Sequence, residues 1–139
     1  LVITITGTND VPVLTTPTAI ALVDTAAYDT FGNTMGTLGA VDVDSATLTY
    51  SVAGQVADAS VAGYDVSVTH AYGKLSLNTA TGAYLFNPNE NTINALPVGA
   101  APVASFAMTV SDGTASDTEN LVVNVTGAND APQAAADVL

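Results

Sequence analysis

The chain has no cysteine, no tryptophan and no arginine, and its only lysine and histidine are Lys74 and His70. Without cysteine there is no disulfide framework and no thiol nucleophile. One lysine against thirteen acidic residues leaves a formal net charge of −12. That balance argues against nucleic acid and anionic membrane surfaces as partners, because both are bound through Lys and Arg. No apolar run approaches the roughly twenty residues of a membrane-spanning helix. A lone histidine with no cysteine makes no zinc site, and without a Gly-x-Ser-x-Gly turn it makes no nucleophile triad. The opening Leu1-Val2-Ile3-Thr4 has no Met, basic n-region or apolar h-region. The expectation is a piece cut from a longer chain.

What is present is apolar residues in short alternating runs. The 139 residues suit one domain, and a hydrophobic share of 48% is enough for a core. Leu75 and Leu77, Tyr84 and Phe86, and Phe106, Met108 and Val110 fall on every second position, which is strand periodicity. Expected strands are Val2–Thr6, Ala19–Val23, Met35–Val41, Thr47–Val52, Tyr64–Thr69, Gly73–Asn78, Ala83–Phe86, Phe106–Ser111 and Leu121–Thr126. Turn chemistry separates them: Asn78-Thr79-Ala80-Thr81-Gly82 suits a hairpin, and Asn87-Pro88-Asn89-Glu90-Asn91 is a polar turn. Gly54–Gly63 and Thr92–Ala104 are the longest irregular stretches, the second with room for a helical turn near Ile93–Leu96. The predicted fold is all-β, an immunoglobulin-like sandwich of about seven to nine strands.

One phrase occurs twice. Thr6-Gly7-Thr8-Asn9-Asp10-Val11-Pro12 returns as Thr126-Gly127-Ala128-Asn129-Asp130-Ala131-Pro132, a constant 120 residues on, counting Thr6 to Thr126. The match runs backwards as well, Leu1-Val2 on Leu121-Val122, with Ile3 and Ile5 on Val123 and Val125. A junction repeated once per domain length is the signature of a tandem array. The expected division is 1–9 as the end of a preceding repeat and its linker, 10–130 as a single sandwich, and 131–139 as the start of the next linker or repeat.

The acidic residues set the chemistry. Crowded carboxylates repel one another in a compact state and need neutralising, and divalent cations are the natural means. The plainer reading is that acidity keeps an exported protein soluble. Asp42-Val43-Asp44 puts two carboxylates at i and i+2 just before a strand, and a bent loop can converge them on one ion. Calcium takes six to eight oxygens from carboxylates, amides and backbone. Asn9, Asp10, Asp42, Asp44 and Asp112 supply them if their loops gather at one pole. Taken singly, each Asp serves equally well as a turn residue through Asx-type bonds.

Gly36–Val52, with its Asp-x-Asp, resembles the corresponding segment of cadherin-type repeats. Closer still is the VCBS-type repeat of large bacterial adhesins. The residues that carry this are Tyr72-Gly73-Lys74-Leu75-Ser76-Leu77-Asn78, Thr81-Gly82-Ala83-Tyr84, Phe86-Asn87-Pro88-Asn89, Val110-Ser111-Asp112-Gly113 and the closing Thr126–Asp130. The resemblance spans roughly Gly36 to Pro132. It implies an extracellular, cadherin-like unit of a bacterial cell-surface adhesin, exported by type I (RTX-type) secretion and stiffened by Ca²⁺. The unit's partners would be neighbouring repeats of the same chain, with host or biofilm contact left to other domains. Carried across, Asn9 and Asp10 are linker ligands joined by Asp42, Asp44 and Asp112. Asn129 and Asp130 play the same part at the other pole, Glu90 stands where the cadherin pattern has its Asp-Arg-Glu acid, and Asp24 lies near the place of a first-strand Glu.

Other signals point to structure. Asp112 and Asp117 make a poor glycosidase pair with so few aromatic platforms. An isopeptide bond from Lys74 to an asparagine needs apolar burial that its strand does not show. The five tyrosines suit a half-buried core. No enzyme is expected, and the competing class is a module whose loops Gly54–Gly63 and Thr92–Ala104 grip a glycan or protein.

Overall fold

A computed structural model of the chain describes residues 1–132. Among them the strands are β1 (Val13–Leu14), β2 (Ile20–Val23), β3 (Thr34–Thr37), β4 (Ala40–Val41), β5 (Thr49–Val52), β6 (Val56–Ala57), β7 (Val66–His70), β8 (Gly73–Leu77), β9 (Ala83–Pro88), β10 (Val103–Ser111) and β11 (Ser116–Thr126). One short helix, α1 (Glu90–Asn94), follows β9, with Asn89 as its N-cap. One sheet has the order β2-β11-β10-β5, the other β3-β9-β8-β7-β6, and β1-β4 form a separate two-stranded ribbon. The fold is the predicted all-β, immunoglobulin-like sandwich.

Alternation places the core. In β10 every second residue, Ala104 to Val110, is buried, and in β11 Leu121, Val123 and Val125 answer it. From the facing sheet come Leu75, Leu77 and Phe86, all fully buried. Phe86 meets Phe106 edge to face across the middle, ring centres 5.9 Å apart. Burying each such side chain stabilises the fold by about 1.5–3 kcal/mol. The β9 hairpin turn needs its glycine: Gly82 has φ +73°, and a Cβ there would press on the Tyr50 ring at 3.1 Å.

The first strand changes sheets. β1 pairs antiparallel with β4, Val13 opposite Val41. After Leu14 the chain crosses through Thr15–Ala19, where Pro17 has no N–H to continue a ladder. It resumes as β2, parallel to β11, with Ile20 opposite Val123 and Leu22 opposite Val125. Two acids of β11 pin this crossing: Asp117 Oδ2 accepts from the Leu14 N–H at 2.8 Å, and Glu119 Oε2 from the Thr16 hydroxyl at 2.9 Å. Asp117 is therefore a structural acceptor.

Several expected boundaries move. Met35–Val41 is two strands, because the chain turns at Leu38-Gly39 to bury Leu38 in the core. Val2–Thr6 pairs with no strand of the described residues. β10 begins at Val103 and β11 at Ser116, so the loop expected over Thr92–Ala104 is shorter, with α1 at its start. Of the segment 131–139, residues 133–139 lie outside the described residues.

Candidate metal centre

β11 is eleven residues long, about 35 Å at strand rise, and it separates two acidic poles. At the N-terminal pole three distant segments meet. The Asn9 amide donates to Asp112 Oδ2 at 2.8 Å, and the Asp10 N–H donates to Asp44 Oδ2 at 3.1 Å. Asp42 Oδ1 accepts from the N–H groups of Asp44 and Ser45 at 3.0 and 2.8 Å, an Asx turn that bends the chain after β4. Asp112 Oδ1 does the same for Thr114 and Ala115, at 2.6 and 2.7 Å, closing the β10–β11 hairpin. Hydrogen bonds thus link Asn9 to Asp112 and Asp10 to Asp44, with Asp42 bonded to the Asp44 N–H, and Asp42 and Asp112 serve as turn residues. Asp112 has both oxygens engaged, Oδ1 in the turn and Oδ2 with the Asn9 amide, whereas Asp42 uses only Oδ1. Asp42 Oδ2 is buried and has no hydrogen-bond partner.

The C-terminal pole forms where β2 and β11 end side by side. Asp24, one residue past β2, is 4% exposed. Its Oδ2 accepts from the Ala128 N–H at 3.1 Å, while its Oδ1 is buried without a partner. Asp130 Oδ1 is in the same condition. The Ala131 N–H donates to Ala26 O at 3.1 Å and holds the departing chain against the loop after β2. Asp29 completes the group, its carboxylate taken up by the Thr25 N–H and hydroxyl at 2.5 and 3.1 Å. Glu90 joins only indirectly: its Oε1 accepts from the Phe31 N–H at 3.0 Å, and its backbone O is bonded to Asn94, which clasps Asp29. Asn129 is exposed, its amide reaching only Asp130 O at 3.4 Å. Sequence reasoning put Asp24 near this pole by resemblance alone and did not single out Asp29.

The charges bear on one another. The Asp10 N–H pulls the Asp44 carboxyl down, but its contact with Asp42, some desolvation and the charges of Asp42 and Asp10 outweigh this and leave it raised. Asp130 is raised by desolvation first, then by Asp24 and Asp29. Asp112 is lowered by the Ala115 N–H, the Asn9 amide and the Thr114 N–H. The single lysine is engaged elsewhere, since Lys74 pairs with Asp58 and holds that carboxylate well below the usual range, helped by Ser60 and Ser67. It faces an ionised aspartate instead of an asparagine. His70 lies against the rings of Tyr72 and Phe106, centres 5.5 and 6.0 Å away.

A pH dependence follows. A carboxyl raised on folding stabilises the fold as pH falls toward its own pKa, and one lowered on folding stabilises it above the unfolded value and loses this as pH falls further. In chelator the chain is expected to be most stable in weak acid, where Asp44 and Asp130 take up protons while Asp58, Asp65 and Asp112 stay ionised. Thermal melts from pH 8 to pH 3 check this; stability rising steadily to pH 8 would contradict it.

The donor set suits a hard cation: carboxylate, amide and backbone oxygens with no sulfur or imidazole. Among the described residues no group of three or more His, Cys, Asp or Glu side chains stands close enough together to hold a metal ion. A scan against models of known protein families finds none that matches, and no curated protein is significantly similar. No helix among the described residues is long and apolar enough to cross a membrane.

Proposed function

We infer that the chain is a structural extender repeat of a bacterial cell-surface adhesin, stiffened by Ca²⁺ where one repeat joins the next. The observation that supports this most is the pair of buried, unpartnered carboxylate sites at opposite poles, each beside a copy of the same Asn-Asp phrase. A buried carboxylate oxygen without a donor is costly, and a cation removes that cost. Because Asn9-Asp10 and Asn129-Asp130 occupy the same place in the repeat, the two poles are the two sides of one junction. Asp24, Asp29 and Asp130 come from the unit before it; Asp42, Asp44 and Asp112 from the unit after. Asp42 Oδ2, Asp24 Oδ1 and Asp130 Oδ1 are the oxygens the ion would take, and Glu90 holds the Asp29 loop in place. Bridging by the ion removes the freedom of the linker and adds its binding energy to the folded state.

Extracellular placement, type I export and a role as spacer for adhesive domains elsewhere in the chain belong to this reading, as does the absence of catalysis. Its test is small-angle scattering of a chain with two units at the natural period, residues 1–126 followed by 7–139. Calcium should lengthen the maximum dimension and narrow its distribution, and chelator should reverse this. Identical profiles in both, with no heat of calcium binding, would reject the reading.

A ligand-binding module is the alternative, and one feature favours it. A cavity of about 700 Å³ opens between the unpaired edges of β2 and β3, lined by Thr15, Thr16, Thr18, Thr34 and Thr37 with Tyr84. Hydroxyls around an aromatic ring suit a glycan. Reproducible signal on a glycan array, lost in Thr34→Val with Thr37→Val, would favour this reading over a passive spacer.

A further inference from the structure

Leu1–Gly7 has no use for its own side chains within this domain. Leu1, Ile3 and Ile5 are 116%, 75% and 91% exposed, whereas their counterparts Leu121, Val123 and Val125 are 0%, 0% and 1% exposed. Those counterparts fill the slot between β10 and β2. The polarity pattern is shared too: Val2, Thr4 and Thr6 stand where Val122, Asn124 and Thr126 face outward.

The glycine that follows is an independent marker. A Cβ on Gly127 would lie 2.6 Å from Leu96 Cβ and 2.7 Å from Pro97 O. Its N–H donates to Ala100 O at 2.8 Å, so the strand leaves the sheet pressed against the Leu96–Ala100 loop. Only glycine permits that approach. A Cβ on Gly7 would meet nothing within 4 Å, so nothing inside this domain calls for glycine there. Pro12 and Pro132 give the reciprocal case: Pro12 is fully buried in this sandwich, while Pro132 is exposed.

We propose that Leu1–Gly7 is a docking element that completes a second sandwich of the same build. Leu1–Thr6 runs antiparallel to that unit's β10 and parallel to its β2, with Leu1, Ile3 and Ile5 turned inward. Ile3 and Ile5 lie opposite the positions of Ile20 and Leu22, as Val123 and Val125 do here. Gly7 packs against a loop equivalent to Leu96–Ala100. Each isoleucine carries one methylene more than the valine it matches, so the receiving slot is slightly wider. The proposal rests on the tandem reading but not on calcium.

The test joins residues 11–120 directly to residues 1–139, so that the first unit lacks its own 121–126 and Leu1–Thr6 follow Asn120 in phase. In EDTA this chain should show two protease-resistant units by limited proteolysis and calorimetry. A control join without Leu1 turns Val2, Thr4 and Thr6 inward, and its first unit should be digested. Gly7→Ala, silent in the single chain, should lower the melting temperature of the in-phase first unit by roughly 5 °C, as overpacking does. An in-phase first unit no more resistant than the control, or a silent Gly7→Ala once that unit folds, would overturn the proposal. Since no metal is present, the outcome is separate from that of the calcium reading.

Discussion

Calcium at about 10 mM should raise the melting temperature of the two-unit chain by about 10 °C, and Asp42→Asn with Asp44→Asn should remove most of that rise. The size follows from linkage: a ligand at about a hundred times its Kd adds about 2.7 kcal/mol to the folded state. Weak extracellular calcium sites have a Kd of about 10⁻⁴ M. In a domain of this length each kcal/mol moves the midpoint by roughly 4 °C. The asparagines keep an acceptor for the Asx turn at Asp42 and for the Asp10 N–H at Asp44, so the loop survives while its charge is lost. Differential scanning calorimetry with calcium, magnesium and EDTA reads the effect. A full response in the double variant would take both carboxylates out of the site.

Asp24→Asn should act with opposite signs in the two conditions. Asp24 is 4% exposed, with Oδ1 unpartnered and Oδ2 held by the Ala128 N–H. The amide keeps an acceptor for Ala128 and removes a buried charge that stands near Asp130. The amide leaves a polar group at the same buried place but relieves the repulsion with Asp130, so in EDTA the variant should melt roughly 4 °C above the parent. In calcium it should melt below the parent, having lost a ligand. Destabilisation in both conditions would mean that the Asp24 carboxylate is satisfied within the fold. A stabilising substitution that abolishes a ligand response is a mark of a residue kept for binding.

The sandwich was legible where alternation was long enough to register. Leu75 and Leu77, Tyr84 and Phe86, and Phe106 to Val110 all announce one buried face. β1 and β6 are two residues each, too short for any period to show. The first half of β11 was hidden for another reason: Asp117 and Glu119 look like turn residues, yet they face the crossing of the first strand and accept its N–H and hydroxyl groups. The N-terminal pole was legible because its parts are local motifs, Asp-x-Asp, Asp-Gly and Asn-Asp, each of which bends the chain where it stands. Asp29 carries no local motif. It reaches Asp130 only because β2 and β11 run side by side to the same end, and that pairing is not written in any short stretch of residues.

The parallel pairing of β2 with β11 also decides how the domain bears a load. The chain enters beside β1 at one pole and leaves after β11 at the other, so a pull on the two ends drags β2 and β11 in opposite directions along their shared axis. The bonds joining Ile20–Val23 to Val123–Thr126 are then strained together in shear, and none can open before its neighbours as in a zipper. Tension between the two ends meets the whole ladder at once.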